Sequence, residues 1–192
     1  LEYEWKFLVE NLVEHNQFGW KNCEFAYYPT KNCLAEDVFL PNLWMPPFYV
    51  YYLYFFTFLN LEEQAYINII LFSQIFLAGI SVAIFYKINK IFFSRNLSLF
   101  SSLLFSIFPL YVYASTQISS ISFQVFFSIL FFYFFLNIVN KKKDYLSIFI
   151  FSFIAGLLML LRGEFYAILI LTLIYFLFLK VNIKKILLII LV

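Results

Sequence analysis

The sequence predicts an all-α membrane protein: a polytopic transmembrane helix bundle with an external loop that carries an amphipathic helix. Three observations predict it. Hydrophobic residues make up 64% of the 192 positions and charged residues 12%, whereas a soluble domain carries about 45–50% apolar and about 25% charged residues. So little charge cannot wet the surface of a soluble globule of this size, which excludes a soluble enzyme and a disordered tail. From Pro47 onward the apolar residues fall into long runs divided by short polar stretches, and a helix needs about 20 residues to cross roughly 30 Å of hydrocarbon. The positive charges, finally, gather in alternate connections between those runs, the pattern of cytoplasmic loops. The net charge of +2 is too small to imply a polyanionic partner, so no nucleic acid is expected.

The elements follow in order. Residues 1–46 are polar and mixed, with Glu2, Glu4, Glu10, Glu14, Glu24, Glu36 and Asp37. Trp5, Leu8, Val9, Leu12 and Val13 recur at helical spacing, and Glu4, Glu10 and Glu14 lie on the other side. This predicts an amphipathic helix lying on the outer membrane surface, ended by Gly19. Glu10 and Glu14 read as its wet face. The following loop holds the two cysteines, Cys23 and Cys33. In an oxidising compartment they can close a small disulfide, with Cα atoms within about 7 Å; the alternative is two unpaired thiols. His15 is the only histidine and there is no Cys-x-x-Cys pair, so a metal site has little support here. His15 reads as a solvated or capping residue.

Pro46 and Pro47 punctuate the start of the first apolar run, residues 47–59, since proline is tolerated in a first helical turn. That run is too short to cross. It reads as an interfacial or re-entrant helix, with Tyr49, Tyr51, Tyr52 and Tyr54 suited to the headgroup layer. Spanning helices are expected over residues 66–86, 97–114, 122–140, 145–161 and 165–179, and a further run begins at Ile186. Helices are preferred over barrel strands because these runs are apolar on all faces and exceed the roughly 9–11 residues of a spanning strand. In lipid the backbone must be bonded within the segment. The chain therefore divides into a first external loop, 1–65, and a bundle of about five spans plus the start of a sixth, 66–192. It opens on Leu1 and stops inside an apolar run, and reads as a piece of a longer protein with helices missing at both ends.

Lys87, Lys90 and Arg95 occupy one connection, Lys141, Lys142 and Lys143 another, and Lys180, Lys184 and Lys185 a third. If 47–59 does not cross, all three share the cytoplasmic side. Residues 1–65, 115–121 and 162–164 then lie outside a multi-pass inner, or plasma, membrane protein. Arg162 and Glu164 stand at the outer end of a membrane helix, where an ionisable residue is a functional candidate by default. A guanidinium can bind two phosphate oxygens at once. The alternatives are a local Arg–Glu pair or snorkelling of Arg162 to the headgroups.

Five stretches, in order, resemble the membrane-embedded GT-C glycosyltransferases, whose relatives include the protein O-mannosyltransferases and the aminoarabinose transferases of lipid A. EYEWKFLVENLVEHNQFGW, residues 2–20, is similar to the family's acidic start followed by a short amphipathic helix. PNLWMPPFYVYYLY, residues 41–54, resembles the Pro-Pro motif that opens the next apolar helix. FYKINKIFF, residues 85–93, resembles the basic cytoplasmic turn. LFSSLLFSIFPLYVYASTQISSISFQVFF, residues 99–127, resembles a helix that reaches a proline near the outer face, then a serine-rich loop and the next helix. IAGLLMLLRGEF, residues 154–165, resembles the helix end G-x-x-x-L-x-R.

The resemblance implies a sugar donor linked to polyprenyl phosphate and an extracytoplasmic acceptor, whether lipid, glycan or protein. It implies a carboxylate in the first external loop that takes a proton from, or orients, the attacking group. The family's acidic pair would fall at Leu1 and Glu2, so the Asp is absent and Glu2 or Glu4 must serve. Carboxylates suit that work when burial or neighbours raise their pKa. The donor phosphate would meet Arg162, with Glu164, Gln117, Pro46 and Pro47 as further substrate-binding candidates. Many relatives carry an acid where Ile121 stands, but the loop 115–122 has none. Gln117 and its serines can hydrogen-bond a sugar but supply no carboxylate, so no cofactor is assigned and use of a divalent metal is in doubt. Two other classes compete: a transporter or flippase for lipid-linked saccharides, which should show midplane charges or paired helix breaks, and a structural membrane subunit.

The orientation is testable by cysteine labelling in intact cells. An impermeant reagent should reach cysteines introduced at Glu62 and Gln117 but not at Lys142; labelling at 142 would reverse the topology.

Overall fold

A computed structural model describes residues 3–21, 39–41, 46–140, 145–179 and 189; of Tyr3, Glu4, Phe7, Trp20, Lys21 and residues 39–41 it describes the backbone alone. The elements are α1 (Tyr3–His15), β1 (Gly19–Lys21), β2 (Phe39–Pro41), α2 (Pro47–Thr57), α3 (Glu63–Phe92), α4 (Arg95–Ser106), α5 (Pro109–Thr116), α6 (Ile121–Asn140), α7 (Tyr145–Leu161) and α8 (Phe165–Phe178). The fold is an all-α membrane helix bundle. Among the described residues the one departure is a short antiparallel pair, β1 on β2, with Trp20 opposite Leu40. The chain divides into two compact units, Leu1–Ile70 and Leu71–Val192, and the division falls inside α3.

In the first unit α1 buries Trp5, Leu8, Val9 and Leu12. Val13 does not join them and is 55% exposed. At about 100° per residue it stands roughly 90° from the centre of that stripe. Gly19 does not end the helix either. Asn16 does, at φ 54, the left-handed conformation that Asn tolerates at a helix end. Gly19 instead begins β1, and its carbonyl accepts a hydrogen bond from the buried Asn11 Nδ2 at 2.9 Å. Tyr49 was expected among headgroups but is fully buried in α2, with its ring edge-on to Trp5 at 4.7 Å. Val50 and Leu53 complete this face of α2. The Thr57 hydroxyl donates to the Tyr54 carbonyl at 2.7 Å as α2 ends. Asn60, at φ 47, turns the chain toward α3, and the Tyr66 hydroxyl of α3 donates back to the Leu53 carbonyl at 3.0 Å.

Among the described residues two helices, α3 and α6, are long and apolar enough to cross a membrane, and the bent pair α4–α5 adds a third if it counts as one span. The helices α7 and α8 are shorter, at 17 and 14 residues. The 30 residues of α3 extend about 45 Å, so the helix runs past Tyr86 and carries Lys87 and Lys90 in its final turns. The Lys90 ammonium stands 5.8 Å from the centre of the Tyr86 ring. The single span expected over 97–114 is broken. Here α4 and α5 meet at 52°, because Pro109 lacks the N–H that would continue the ladder and its ring crowds the preceding turn. Interhelical polar contacts bridge this region. Asn89 Nδ2 donates to Ser101 Oγ at 3.2 Å, the Tyr111 hydroxyl to the Ala78 carbonyl at 3.1 Å, and Gln74 Nε2 to the Ser119 carbonyl at 3.2 Å.

The core of the second unit joins α6, α7 and α8. Phe131 meets Phe151 at 4.5 Å between ring centres, and Phe151 meets Phe176 edge-on at 5.8 Å. Ile148, Ile154, Ala155 and Leu158 fill the space between. Lipid tails are as apolar as these side chains, so packing and dispersion hold the helices together more than water exclusion does. Phe151→Ala should lower stability at or below the low end of the about 3–5 kcal/mol seen for such truncations in aqueous cores. Phe178, 81% exposed on α8, should tolerate alanine with no measurable change. Unfolding midpoints of both variants in one detergent check this, and equal midpoints would contradict the packing.

Candidate functional site

Of the family-like carboxylates, Glu4 is on a described element, α1. Glu4 occupies its first turn, and nothing is described of its side chain; Glu2, Cys23 and Cys33 lie outside the described residues. Lys141, Lys142 and Lys143, and the lysines after Leu179, lie outside them as well. Pro46 and Pro47 form the start of α2: Pro46 is its N-cap at φ −65 and ψ 118, and Pro47 is its first helical residue. Neither has an N–H to offer a ligand, and the fixed φ of proline suits that first turn.

In the second unit the hairpin of α6 and α7 sets the geometry. The pairing of Phe131 with Phe151 fixes an antiparallel register, which, continued toward the start of α6 and the end of α7, brings Arg162 level with Ser120. The loop holding Gln117 and the junction holding Arg162 and Glu164 therefore share one end of the hairpin. Arg162 continues the backbone ladder of α7, its N–H donating to the Leu158 carbonyl at 2.8 Å. Glu164 caps α8. Arg162 Nη1 and Glu164 Oε2 lie 3.7 Å apart with side chains 48% and 80% exposed. Such a pair is worth roughly 0–1 kcal/mol, so it leaves the guanidinium available to a stronger anion. An apolar groove of about 300 Å³ runs along α7 to this junction, lined by Phe153, Gly156, Leu157, Leu160 and Tyr166.

The serine-rich loop is less available than its composition implies. The Ser115 and Thr116 hydroxyls donate to carbonyls of their own helix, and the Ser122 hydroxyl to the Ala114 carbonyl at 2.9 Å. Ser119 Oγ accepts from the Ile121 N–H at 3.3 Å. Gln117, exposed where α5 ends, remains free to reach outward. This loop is shaped by short-range bonds typical of Ser and Thr.

His15 is exposed, with Nε2 3.7 Å from Glu14 Oε2. Among the described residues no three His, Cys, Asp or Glu side chains come together as a metal would require. The structure adds a feature that sequence reasoning missed, a groove of about 380 Å³ in the first unit, bordered by Lys6, Glu10, Asn60 and Glu63 over Val9 and Tyr66. The only signal of it in the sequence is the polar stretch 60–64 between two apolar runs.

Residues 45–192 match the family model of the dolichyl-phosphate-mannose-protein mannosyltransferases. A match over most of the chain, on a bundle of this kind, places the protein in that family of GT-C type membrane glycosyltransferases, and the chain belongs to it. No curated protein and no solved structure matches the chain.

Proposed function

We propose that the protein is an inner-membrane glycosyltransferase that moves a sugar from a polyprenyl-phosphate carrier to an acceptor on the extracytoplasmic side. The family match over residues 45–192 carries this reading, and the half-exposed Arg162 at the shared end of the α6–α7 hairpin supports it. In the proposed step an acceptor hydroxyl attacks the anomeric carbon. Its proton passes to the carboxylate of Glu2, or of Glu4. The bond from that carbon to the phosphate oxygen breaks, and the electron pair leaves with the phosphate. Arg162 binds the phosphate and offsets the charge that grows on it, while the apolar groove along α7 offers the prenyl chain a path beside its headgroup. Gln117 contacts the sugar from the neighbouring loop. Residues 1–65 form the first extracytoplasmic loop and residues 66–192 the transmembrane bundle. The Cys23–Cys33 disulfide, closed in an oxidising compartment, ties the first loop.

The broken pair α4–α5 is the one observation a flippase reading can use, since transporters place sites at discontinuous helices. It is a single break without a partner among the described helices; its Tyr111 hydroxyl donates to the Ala78 carbonyl and its Ala114 carbonyl accepts from the Ser122 hydroxyl.

Glu2→Gln keeps the shape of the side chain and removes the base. In the full-length protein it should lower transfer on the order of 10²–10⁴-fold with unchanged melting. Arg162→Ala should reduce kcat/KM for the lipid-linked donor more than Arg162→Lys does, since lysine keeps the charge and loses the fork. Near-normal transfer by Glu2→Gln would remove that residue from the chemistry, and equal activity of both Arg162 variants with the unaltered protein would remove the phosphate contact.

A further inference from the structure

The groove in the first unit has the make-up of a ligand site. Its floor is buried and its rim is wet. Val9 of α1 and Tyr66 of α3 form the floor. Lys6 and Glu10 stand on one side, Asn60 comes from the α2–α3 turn and Glu63 from the first turn of α3. Its volume of about 380 Å³ falls within the roughly 300–1,000 Å³ of small-molecule sites. The floor is held in place. The Tyr66 hydroxyl is tied to the Leu53 carbonyl at 3.0 Å, and α1 is keyed to α2 by Trp5 against Tyr49 at 4.7 Å.

We propose that this groove is a saccharide subsite that takes a neutral, polyhydroxylated sugar ring of the acceptor. The word acceptor rests on the glycosyltransferase reading; the sugar chemistry rests on the groove. A sugar ring presents hydroxyls that donate and accept, and C–H faces that are apolar. The groove answers each. Glu10 and Glu63 accept, Lys6 donates, the Asn60 amide does both, and Tyr66, Val9 and Leu61 give the ring an apolar surface. The charge selects for neutrality. Lys6 Nζ lies 3.9 Å from Glu10 Oε1, which offsets one carboxylate and leaves Glu63 in excess. A phosphate or uronate would therefore meet repulsion.

Asn60 adds a second, independent observation. It adopts φ 47 in the turn, a left-handed conformation that glycine enters at lower cost. What asparagine brings and glycine lacks is the amide at the rim of the groove. Among the described residues neither that amide nor the Glu63 carboxylate has a side-chain partner. Both are open to a ligand.

The experiment uses the whole chain in nanodiscs, with methyl glucopyranoside as neutral probe and methyl glucuronide and inorganic phosphate as charged ones. Binding is read by saturation-transfer NMR with no lipid-linked donor present. Failure of the transfer chemistry therefore leaves this readout untouched, and the reverse also holds. The neutral glycoside should show saturation on its ring protons, and neither anion should displace it. Asn60→Gly keeps the turn, because glycine adopts the same φ freely, and should weaken binding about tenfold. Glu63→Gln keeps the shape and should weaken it by a similar factor, which covers the case in which one variant fails to fold. Circular dichroism and melting should be unchanged for both. No saturation of the glycoside, equal binding by the two folded variants, or displacement by phosphate would overturn the proposal and leave the rim as a solvated ion pair.

Discussion

Hydrocarbon offers a peptide group no hydrogen-bond partner, and an unmet N–H or C=O there costs several kcal/mol. Wherever this chain is apolar on all faces it is therefore helical, from α3 to α8. The same constraint explains the polar residues that the bundle buries. Ser98, Ser102 and Ser152 donate to carbonyls one turn back in their own helices, so a hydroxyl enters an apolar setting already satisfied. At Pro109 the ladder cannot continue. The chain answers with a 52° bend, and the Phe105 carbonyl, which Pro109 cannot serve, accepts from the Phe108 N–H at 3.3 Å.

That constraint also positions the candidate site in the second unit. Once α6 and α7 are helical with only residues 141–144 between them, they can only run antiparallel. The contact of the Phe131 and Phe151 rings then chooses the register. The register delivers Arg162 and the Gln117 loop to one end, although they lie far apart in sequence. Helix packing in lipid gains little from water exclusion, so the precision comes from ring contacts such as Phe151 on Phe176 and Phe135 on Phe176.

Much of this was legible in the sequence. Run length and uniform apolarity placed α6, α7 and α8 within a residue of their observed bounds, and Pro46-Pro47 marked the start of α2, while α3 extends past the run 66–86 at both ends. The amphipathic stripe of α1 was read correctly at Trp5, Leu8, Val9 and Leu12, because a 3.6-residue period is a strong signal over thirteen residues. Other features depend on contacts that periodicity does not carry. Asn16 rather than Gly19 ends α1, because Asn11 recruits the Gly19 carbonyl. Tyr49 left the headgroup layer because Trp5 covers it. The break before Pro109 was visible as a proline but not as a 52° bend. The groove over Tyr66 needed α1 and the α2–α3 turn to meet, a long-range event that no local pattern announces.

The central claim is that the sugar–phosphate bond of a lipid-linked donor is broken here. The full-length protein, reconstituted in vesicles with a polyprenyl-phosphate sugar labelled in the sugar, tests this directly when the fate of the label is followed. The account predicts that label leaves the lipid fraction in step with the appearance of free polyprenyl phosphate, and that a nucleotide sugar does not substitute. Label that crosses to the other leaflet while still joined to its lipid, with no polyprenyl phosphate released, would contradict it.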